Sequence, residues 1–374
     1  MIQAKQRILA LVPYPVFPAV MGGQKGIALF YAYLSKLVEL TCITTKNNHP
    51  EESFEVLPVI SNSVWRYVNP WLFIKINRLL TQKQCTHFLA EHPYFAWLIW
   101  LIKRQGKVQV IVHSHNIESE RFRSIGKSWW KILWYYERWA YKNADILWFK
   151  TPEDKAYAIE QYGISSSKCV VIPYGIEVDQ LPVASEINEA SSTLREQYKL
   201  SKDNLLLLFN GTLSYGPNLD ALKAILENIN PILMNKGIEY TIFICGRHLP
   251  AEMSDLKAYA DKHIIYCGFV EDIDLYFKGC DIFLNPLFDG GGIKTKLVEA
   301  LGFGKKCVSS VNGGIGVNKN CTSGRLRVVE DKNWMAYVDE IIDLHQTLID
   351  NDHQEFYTHF AWKNIAAKAQ QSLA

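Results

Sequence analysis

The stretch Asp281–Ser310, DIFLNPLFDGGGIKTKLVEALGFGKKCVSS, decides the fold. Ile282-Phe283-Leu284 is a short apolar run closed by Asn285-Pro286, the pattern of a buried strand. Three consecutive glycines follow, Gly290, Gly291 and Gly292. Apolar residues at Ile293, Leu297, Val298, Ala300 and Leu301 then recur at helical spacing, and Gly302 and Gly304 end the run. Lys305 and Lys306 lead into a second strand, Cys307–Ser310. A helix opening at a glycine turn leaves backbone N–H groups unpaired and carries partial positive charge at its start. Glycines let an anion approach that backbone closely. Lys294, Thr295 and Lys296 place two cations and a hydroxyl in the expected first turn, where the helix dipole favours acids. Cations set against the dipole point to a ligand carrying negative charge, and a diphosphate is the natural candidate. Glu299 lies three residues past Lys296 and four past Thr295, on their helix face. It could accept hydrogen bonds from sugar hydroxyls beside the phosphates, or pair with a lysine on the same helix.

The run GGGIKTKLVEALGFGK resembles the nucleotide-sugar site of glycosyltransferase family four, whose members are retaining enzymes of the GT-B fold. The resemblance implies an α/β fold of two doubly wound, Rossmann-like domains facing a cleft. It implies that Gly291, Gly292, Ile293, Lys294, Thr295 and Lys296 bind the donor diphosphate, with Lys294 acting on the leaving group. Many members carry two glutamates separated by seven residues. Glu299 matches the second, which holds the donor ribose; the first falls on Gly291, and Asp289 is the available carboxylate nearby. Members with a glycine-rich variant ending in K-x-K-x-x-E-A are the nearest in pattern.

At 374 residues the chain is long enough for two domains with full cores, and 48% hydrophobic and 13% aromatic content mark it as globular. Net charge is +2, but residues 1–180 hold 21 Lys+Arg against 14 Asp+Glu. A basic first half could face an anionic membrane or acceptor. It lacks the long basic tract that nucleic-acid binders often show, so no nucleic acid is expected. The eight cysteines have no C-x-x-C or paired spacing, which fits buried thiols in a cytoplasmic protein. MIQAKQRILALVPYPVF reads as a first strand rather than a signal peptide, because Pro13 and Pro15 break its short apolar run. No stretch reaches eighteen apolar residues, so no transmembrane helix is expected.

Taken in order, RILALV (7–12) is a strand, and Gly22-Gly23-Gln24-Lys25-Gly26 opens a helix from Ile27. There is no G-x-G-x-x-G fingerprint; Gly22 and Gly23 resemble the family's N-terminal glycine loop against the donor phosphate. Residues 65–150 hold nine of eleven tryptophans and 14 Lys+Arg against 5 Asp+Glu. WLFIKINRLL (71–80) and WWKILWYYERW (129–139) mix aromatic and basic residues at helical spacing. That suits either a membrane interface or packing inside the first domain.

VQVIV (108–112) is a strand ending in His113-Ser114-His115-Asn116, where a ligand is well placed. The stretch resembles the family's H-N-x-E-S-x-R segment, which implies that His115, with His113 second, contacts the transferred sugar or acceptor. Arg121 and Arg123 either bind a phosphate or acidic acceptor, or pair with Glu118 and Glu120. No third ligand at metal spacing joins the two histidines, so no metal is expected. Asp272-Ile273-Asp274 matches a metal-binding D-x-D, but helix capping explains Asp272 better.

Residues 180–203 are polar and read as a linker, dividing an acceptor domain (1–180) from a donor domain (181–355). By resemblance, a last helix (356–374) crosses back to the first domain. LLLLF (205–209) opens the second domain. Gly211 and Thr212 follow it, Asn218 is expected to cap the next helix, and Arg247 is a further cation for the diphosphate. Phe269 and Val270 end a strand like the one whose backbone contacts the nucleobase in the family. The expected activity is retaining, metal-independent transfer of a sugar from a nucleoside diphosphate, with no cofactor, to a glycan or lipid-linked acceptor. The setting would be surface polysaccharide or glycolipid synthesis at the inner membrane face. The alternative is a catalytically degenerate homologue serving as a binding or scaffold subunit.

Overall fold

A computed structural model describes residues 6–19, 22–50, 52–350 and 352–373. The chain forms two compact units, Met1–Gly175 with Ala361–Ala374, and Ile176–Phe360. The first unit is built on a parallel sheet. Its strands are β1 (Arg7–Leu11), β2 (Glu39–Thr45), β3 (Glu55–Ile60), β4 (His87–Glu91), β5 (Gln109–Ser114), β6 (Ile146–Phe149) and β7 (Cys169–Val171). Their spatial order is β3-β2-β1-β4-β5-β6-β7. The order reverses between β1 and β4, and the loops leaving those two strands part there to make the crevice in which such sheets bind ligands.

The second unit repeats the theme with β8 (Leu205–Asn210), β9 (Tyr240–Cys245), β10 (Ile264–Gly268), β11 (Ile282–Asn285), β12 (Lys306–Ser310) and β13 (Leu326–Val329). Its order, β10-β9-β8-β11-β12-β13, reverses between β8 and β11. β8, β9 and β11 are buried along their whole length, as central strands covered on both faces must be. Each unit has its own apolar core, centred on Leu9, Phe88 and Val112 in the first and on Leu207, Ile242 and Leu284 in the second.

Several local expectations change. Residues 184–198 are not linker but a helix, Ala184–Tyr198. Its polar composition hides a narrow apolar stripe, Ala190 and Leu194, packed so closely on Gly279 that a Cβ there would lie 2.7 Å from Leu194. Gly22 and Gly23 lie within the helix Gly22–Leu34 rather than in a loop before it. The C-terminal segment breaks at Ala361, whose extended backbone (ψ 130°) separates the helices Gln354–Phe360 and Trp362–Gln371. Trp362 then packs against Phe30 and Tyr174 in the first unit. All eight cysteines are free, and no helix among the described residues is long and apolar enough to cross a membrane.

Candidate functional site

In the second unit, the loops after β8 and β11 meet at the point where the strand order reverses. Asn285 anchors the β11 end: its side chain donates to Ser309 Oγ (2.8 Å) and to the Gly313 carbonyl (3.0 Å). The chain then turns through Gly290 and Gly292, both left-handed (φ +91° and +70°), a conformation that favours glycine. Gly290 sits against Pro217 of the β8 loop, 3.2 Å from a built Cβ. The left-handed turns keep the helix from starting at Ile293. It runs Thr295–Gly302, with Lys294 at its cap in extended conformation (ψ 99°). Lys294 therefore lies before the first turn, and its Nζ donates to the Gly290 and Gly292 carbonyls at 2.8 and 2.9 Å. The ammonium clamps the glycine loop from beside the helix start. Gly291 is the exposed member of the triplet. Asp289 is exposed and accepts from the Gly290 N–H (2.6 Å), so its carboxylate shapes the loop. Glu299, half-buried, accepts from Lys296 Nζ at 2.7 Å.

Two further loops, those after β9 and β10, join the β8 loop at this end of the sheet. Gly211 N donates to Cys245 O, Leu213 N to Arg247 O and Gly246 N to Gly268 O. The approach is so close that a Cβ on Gly246 would fall 2.0 Å from Gly211 O. Arg247 lays its guanidinium 3.5 Å from the centroid of the exposed Phe269 ring, with Val270 next in the chain. Asn218 does not cap a helix. The helix begins at Gly216, and the Asn218 amide instead donates to Thr212 O (3.0 Å), bracing the β8 loop. Asp272 does cap its helix, accepting from Leu275 N at 3.1 Å. The crevice thus collects Gly211, Thr212, Arg247, Phe269, Val270 and the 289–299 segment at the carboxyl ends of β8–β11.

The first unit holds a second constellation, organised by a residue the sequence reading did not single out. Glu91, at the end of β4, is completely buried. Its Oε1 accepts from Tyr31 OH (2.7 Å) and His113 Nδ1 (3.0 Å), and its Oε2 from His115 Nε2 (2.5 Å). Burial alone would raise the Glu91 carboxyl, but the two imidazoles outweigh it and hold it well below the usual carboxylate range. Burial pushes His113 down to about 4 and His115 well below its ordinary value. The group is therefore one carboxylate with two neutral imidazoles. A carboxylate only accepts, so His113 carries its proton on Nδ1 and His115 on Nε2. His115 is left with an unprotonated Nδ1, a hydrogen-bond acceptor.

This arrangement corrects two expectations. His113 is fully buried between Glu91, Phe30 and Trp148, where no acceptor can reach it; His115 alone of the pair keeps some exposure, 12% of its side chain. Glu91 also supplies the third ligand type that spacing did not reveal: with His113 and His115, its ligating atoms lie within 4.8 Å of one another. The mutual hydrogen bonds already account for that convergence.

Around this core, His92 stacks on His115 (4.4 Å between centroids) and its Nε2 meets Tyr14 OH at 2.8 Å. Tyr14 follows β1 and His92 follows β4, so this bond closes the first unit's own crevice. Arg121 and Arg123 pair with Glu118 (2.6 Å) and Glu120 (3.3 Å). Burial would raise the Glu118 carboxyl, but His92 and Arg121 hold it at about 2. Lys150, buried with Nζ unpartnered among the described residues, lies over Phe30 and is lowered to about 8 by burial, with Glu91 opposing.

Comparison with known proteins gives concordant findings. Residues 21–180 match the model described as Glycosyltransferase Family 4, and residues 204–347 the model described as Glycosyl transferases group 1. No curated protein sequence matches the chain. Among solved structures, it is similar to sucrose-phosphate synthase from Thermosynechococcus elongatus, with 16% identity, a TM-score of 0.71, and 98% of each chain covered. It is similar to a glycosyltransferase from Rickettsia africae at 17% identity and TM-score 0.71, covering 99% of this chain and 98% of that one. It is also similar to Anabaena HepE, solved in complex with UDP and glucose, at 16% identity and TM-score 0.66, covering 98% and 99%. At these identities the structural likeness speaks for the fold, and the family models speak for descent. The chain thus carries a Glycosyltransferase Family 4 domain over residues 21–180 and a Glycosyl transferases group 1 domain over residues 204–347, and its two α/β units are those of the GT-B fold.

Proposed function

We propose that the protein transfers a sugar from a nucleoside diphosphate to an acceptor hydroxyl, with retention of anomeric configuration and without a metal. The observation that carries this reading is the second unit's crevice, where a clamped glycine loop and a helix start adjoin the point at which the strand order reverses. The similarity to HepE, solved with UDP and glucose, supports a nucleotide-sugar donor. Backbone N–H groups at Thr295 and Lys296, with the Lys294 and Arg247 cations, would receive the diphosphate. Glu299 would accept from the ribose hydroxyls, exchanging its bond to Lys296 for them. The backbone at Phe269 and Val270 would face the base. As the C1–O bond to the diphosphate breaks, charge grows on the leaving oxygen, and fixed donors stabilise it without reorganising. The new C1–O bond forms to the acceptor, whose proton leaves with the released nucleoside diphosphate. His115, through its acceptor Nδ1, would orient a sugar or acceptor hydroxyl. The acceptor would be a glycan or lipid-linked sugar of surface polysaccharide or glycolipid synthesis.

The test is release of nucleoside diphosphate from a panel of UDP-, GDP- and ADP-sugars in EDTA. One donor should turn over, and for that donor Glu299→Ala should raise KM about tenfold or more, the loss of one charge-assisted hydrogen-bond acceptor, with a smaller change in kcat. No turnover of any donor would favour the degenerate, binding-subunit reading. An unchanged KM would remove Glu299 from the ribose.

A further inference from the structure

Glu91 is the pivot of the first unit's constellation, and its charge is completely buried. A buried carboxylate is costly unless a cation answers it. Neither imidazole does so, because burial keeps both His113 and His115 neutral. The other titratable groups facing Glu91 are Tyr31 from the helix Gly22–Leu34, Cys42 from β2 and Tyr14 after β1, and none of these can carry positive charge. His92 and Arg121 are both engaged by Glu118, at 3.4 and 2.6 Å. Among the described residues of the first unit, Lys150 is the one buried Lys or Arg.

Lys150 directly follows β6, and the strand register puts it on the same side of the sheet as Glu91. Glu91 lies opposite His113 across β4 and β5, and His113 lies opposite Trp148 across β5 and β6. Side chains two apart along a strand share a face, so Lys150 projects with Trp148 and His113. Phe30 agrees with that placement. Its ring centroid is 5.2 Å from the His113 ring, 5.7 Å from the Trp148 ring and 5.5 Å from Lys150 Nζ. Lys150 Nζ and His113 Nε2 are both buried without a hydrogen-bond partner among the described residues. The first is a donor, and the second is an acceptor while the His113 proton sits on Nδ1. A positive charge on this face disfavours a second proton on His113, and Lys150 does push His113 down. Glu91 in turn favours the ammonium against burial, which lowers Lys150 only to about 8, so the cation persists at pH 7.

We propose that Lys150 is the counter-charge of Glu91 and a positioning residue: its ammonium holds the His113 proton on Nδ1, toward Glu91, and so preserves the His115 tautomer whose Nδ1 accepts. The use of that tautomer to orient a hydroxyl rests on the sugar-transfer reading; the charge pair does not.

The test compares the wild type, Lys150→Met and the double variant Lys150→Met with Glu91→Gln, all at pH 7 in the full chain. Methionine is unbranched and apolar, so it removes the charge and keeps most of the volume. Lys150→Met should lower the melting temperature by about 10 °C, the effect of removing one partner of a buried charge pair. The double variant removes both charges and should melt higher than Lys150→Met. Nitrogen-15 shifts of the histidines, recorded without donor, give a readout that lost packing would not move. His113 and His115 should be neutral in the wild type, an imidazolium should appear at one of them in Lys150→Met, and none should appear in the double variant. Turnover of Lys150→Met should fall about 10²-fold with donor KM nearly unchanged. Should Lys150→Met not fold, recovery of a folded double variant supports the charge pair equally. A double variant that melts no higher than Lys150→Met overturns the counter-charge. Two neutral histidines in a folded Lys150→Met overturn the positioning role. A wild type that turns over no donor, with the melting order and the shifts as expected, would sink the transfer reading and leave the charge pair standing.

Discussion

Lys294→Ala is expected to lower turnover about 10²-fold, the size of losing one preorganised donor to a developing charge. Lys294 caps the helix Thr295–Gly302 and ties the two left-handed glycines together through their carbonyls. The substitution removes a cation from the proposed diphosphate site and releases the loop that shapes it. Its effect on stability should be far smaller, about 1 kcal/mol, because the released carbonyls lie in a partly exposed loop and can bond to water. A large loss of rate with an almost unchanged melting temperature is therefore the signature. Lys296→Ala should cost less, since Lys296 is held by Glu299 in a partly exposed pair. Unchanged turnover in Lys294→Ala would show that the ammonium serves the loop and not the leaving group.

Glu91→Gln should lower turnover by about 10²-fold, the usual cost of misplacing a group that positions substrate. The carboxylate accepts from His113 on one oxygen and His115 on the other. A glutamine keeps the shape but offers one acceptor oxygen and one donor amide. At least one imidazole must then change tautomer or lose its bond. If His115 changes, its Nδ1 gains a proton and can no longer accept from a hydroxyl. A structural defect alone would also reduce rate, so nitrogen-15 shifts of the histidines decide the matter. In the wild type, His115 should show an unprotonated Nδ1 and a protonated Nε2, and in Glu91→Gln that pattern should be lost. A protonated Nδ1 in the wild type would contradict the arrangement.

The donor crevice was legible because its elements announce themselves locally. Ile282–Leu284 is a short apolar run, three glycines break it, and the helical period follows at once. The start of the helix was misplaced by two residues, because periodicity does not register the left-handed φ of Gly290 and Gly292. The first unit's constellation was only half legible. His113 and His115 adjoin in sequence, but Glu91 lies 22 residues upstream of His113, at the end of HFLAE. That strand reads weakly, since a histidine and a glutamate bound three apolar residues. Only the pairing of β4 with β5, Glu91 opposite His113, brings the carboxylate to the imidazoles. The polar helix Ala184–Tyr198 was read as linker for a related reason: two buried residues, Ala190 and Leu194, are too few to set a visible period. In the helices of residues 71–143, sequence left packing and exposure level. The structure assigns both, burying Leu72, Ile76, Leu133 and Tyr141 while exposing Trp71, Ile74, Ile132 and Tyr135.

The most direct test of the donor site is a thermal-shift measurement with UDP, GDP and ADP, each with and without EDTA. A ligand that binds only the folded state raises the melting temperature in proportion to its occupancy. One nucleotide should raise it in both conditions, and Lys294→Ala should reduce that rise. Absence of a rise with all three at millimolar concentration, or a rise that EDTA abolishes, would contradict a metal-free diphosphate site in the second unit.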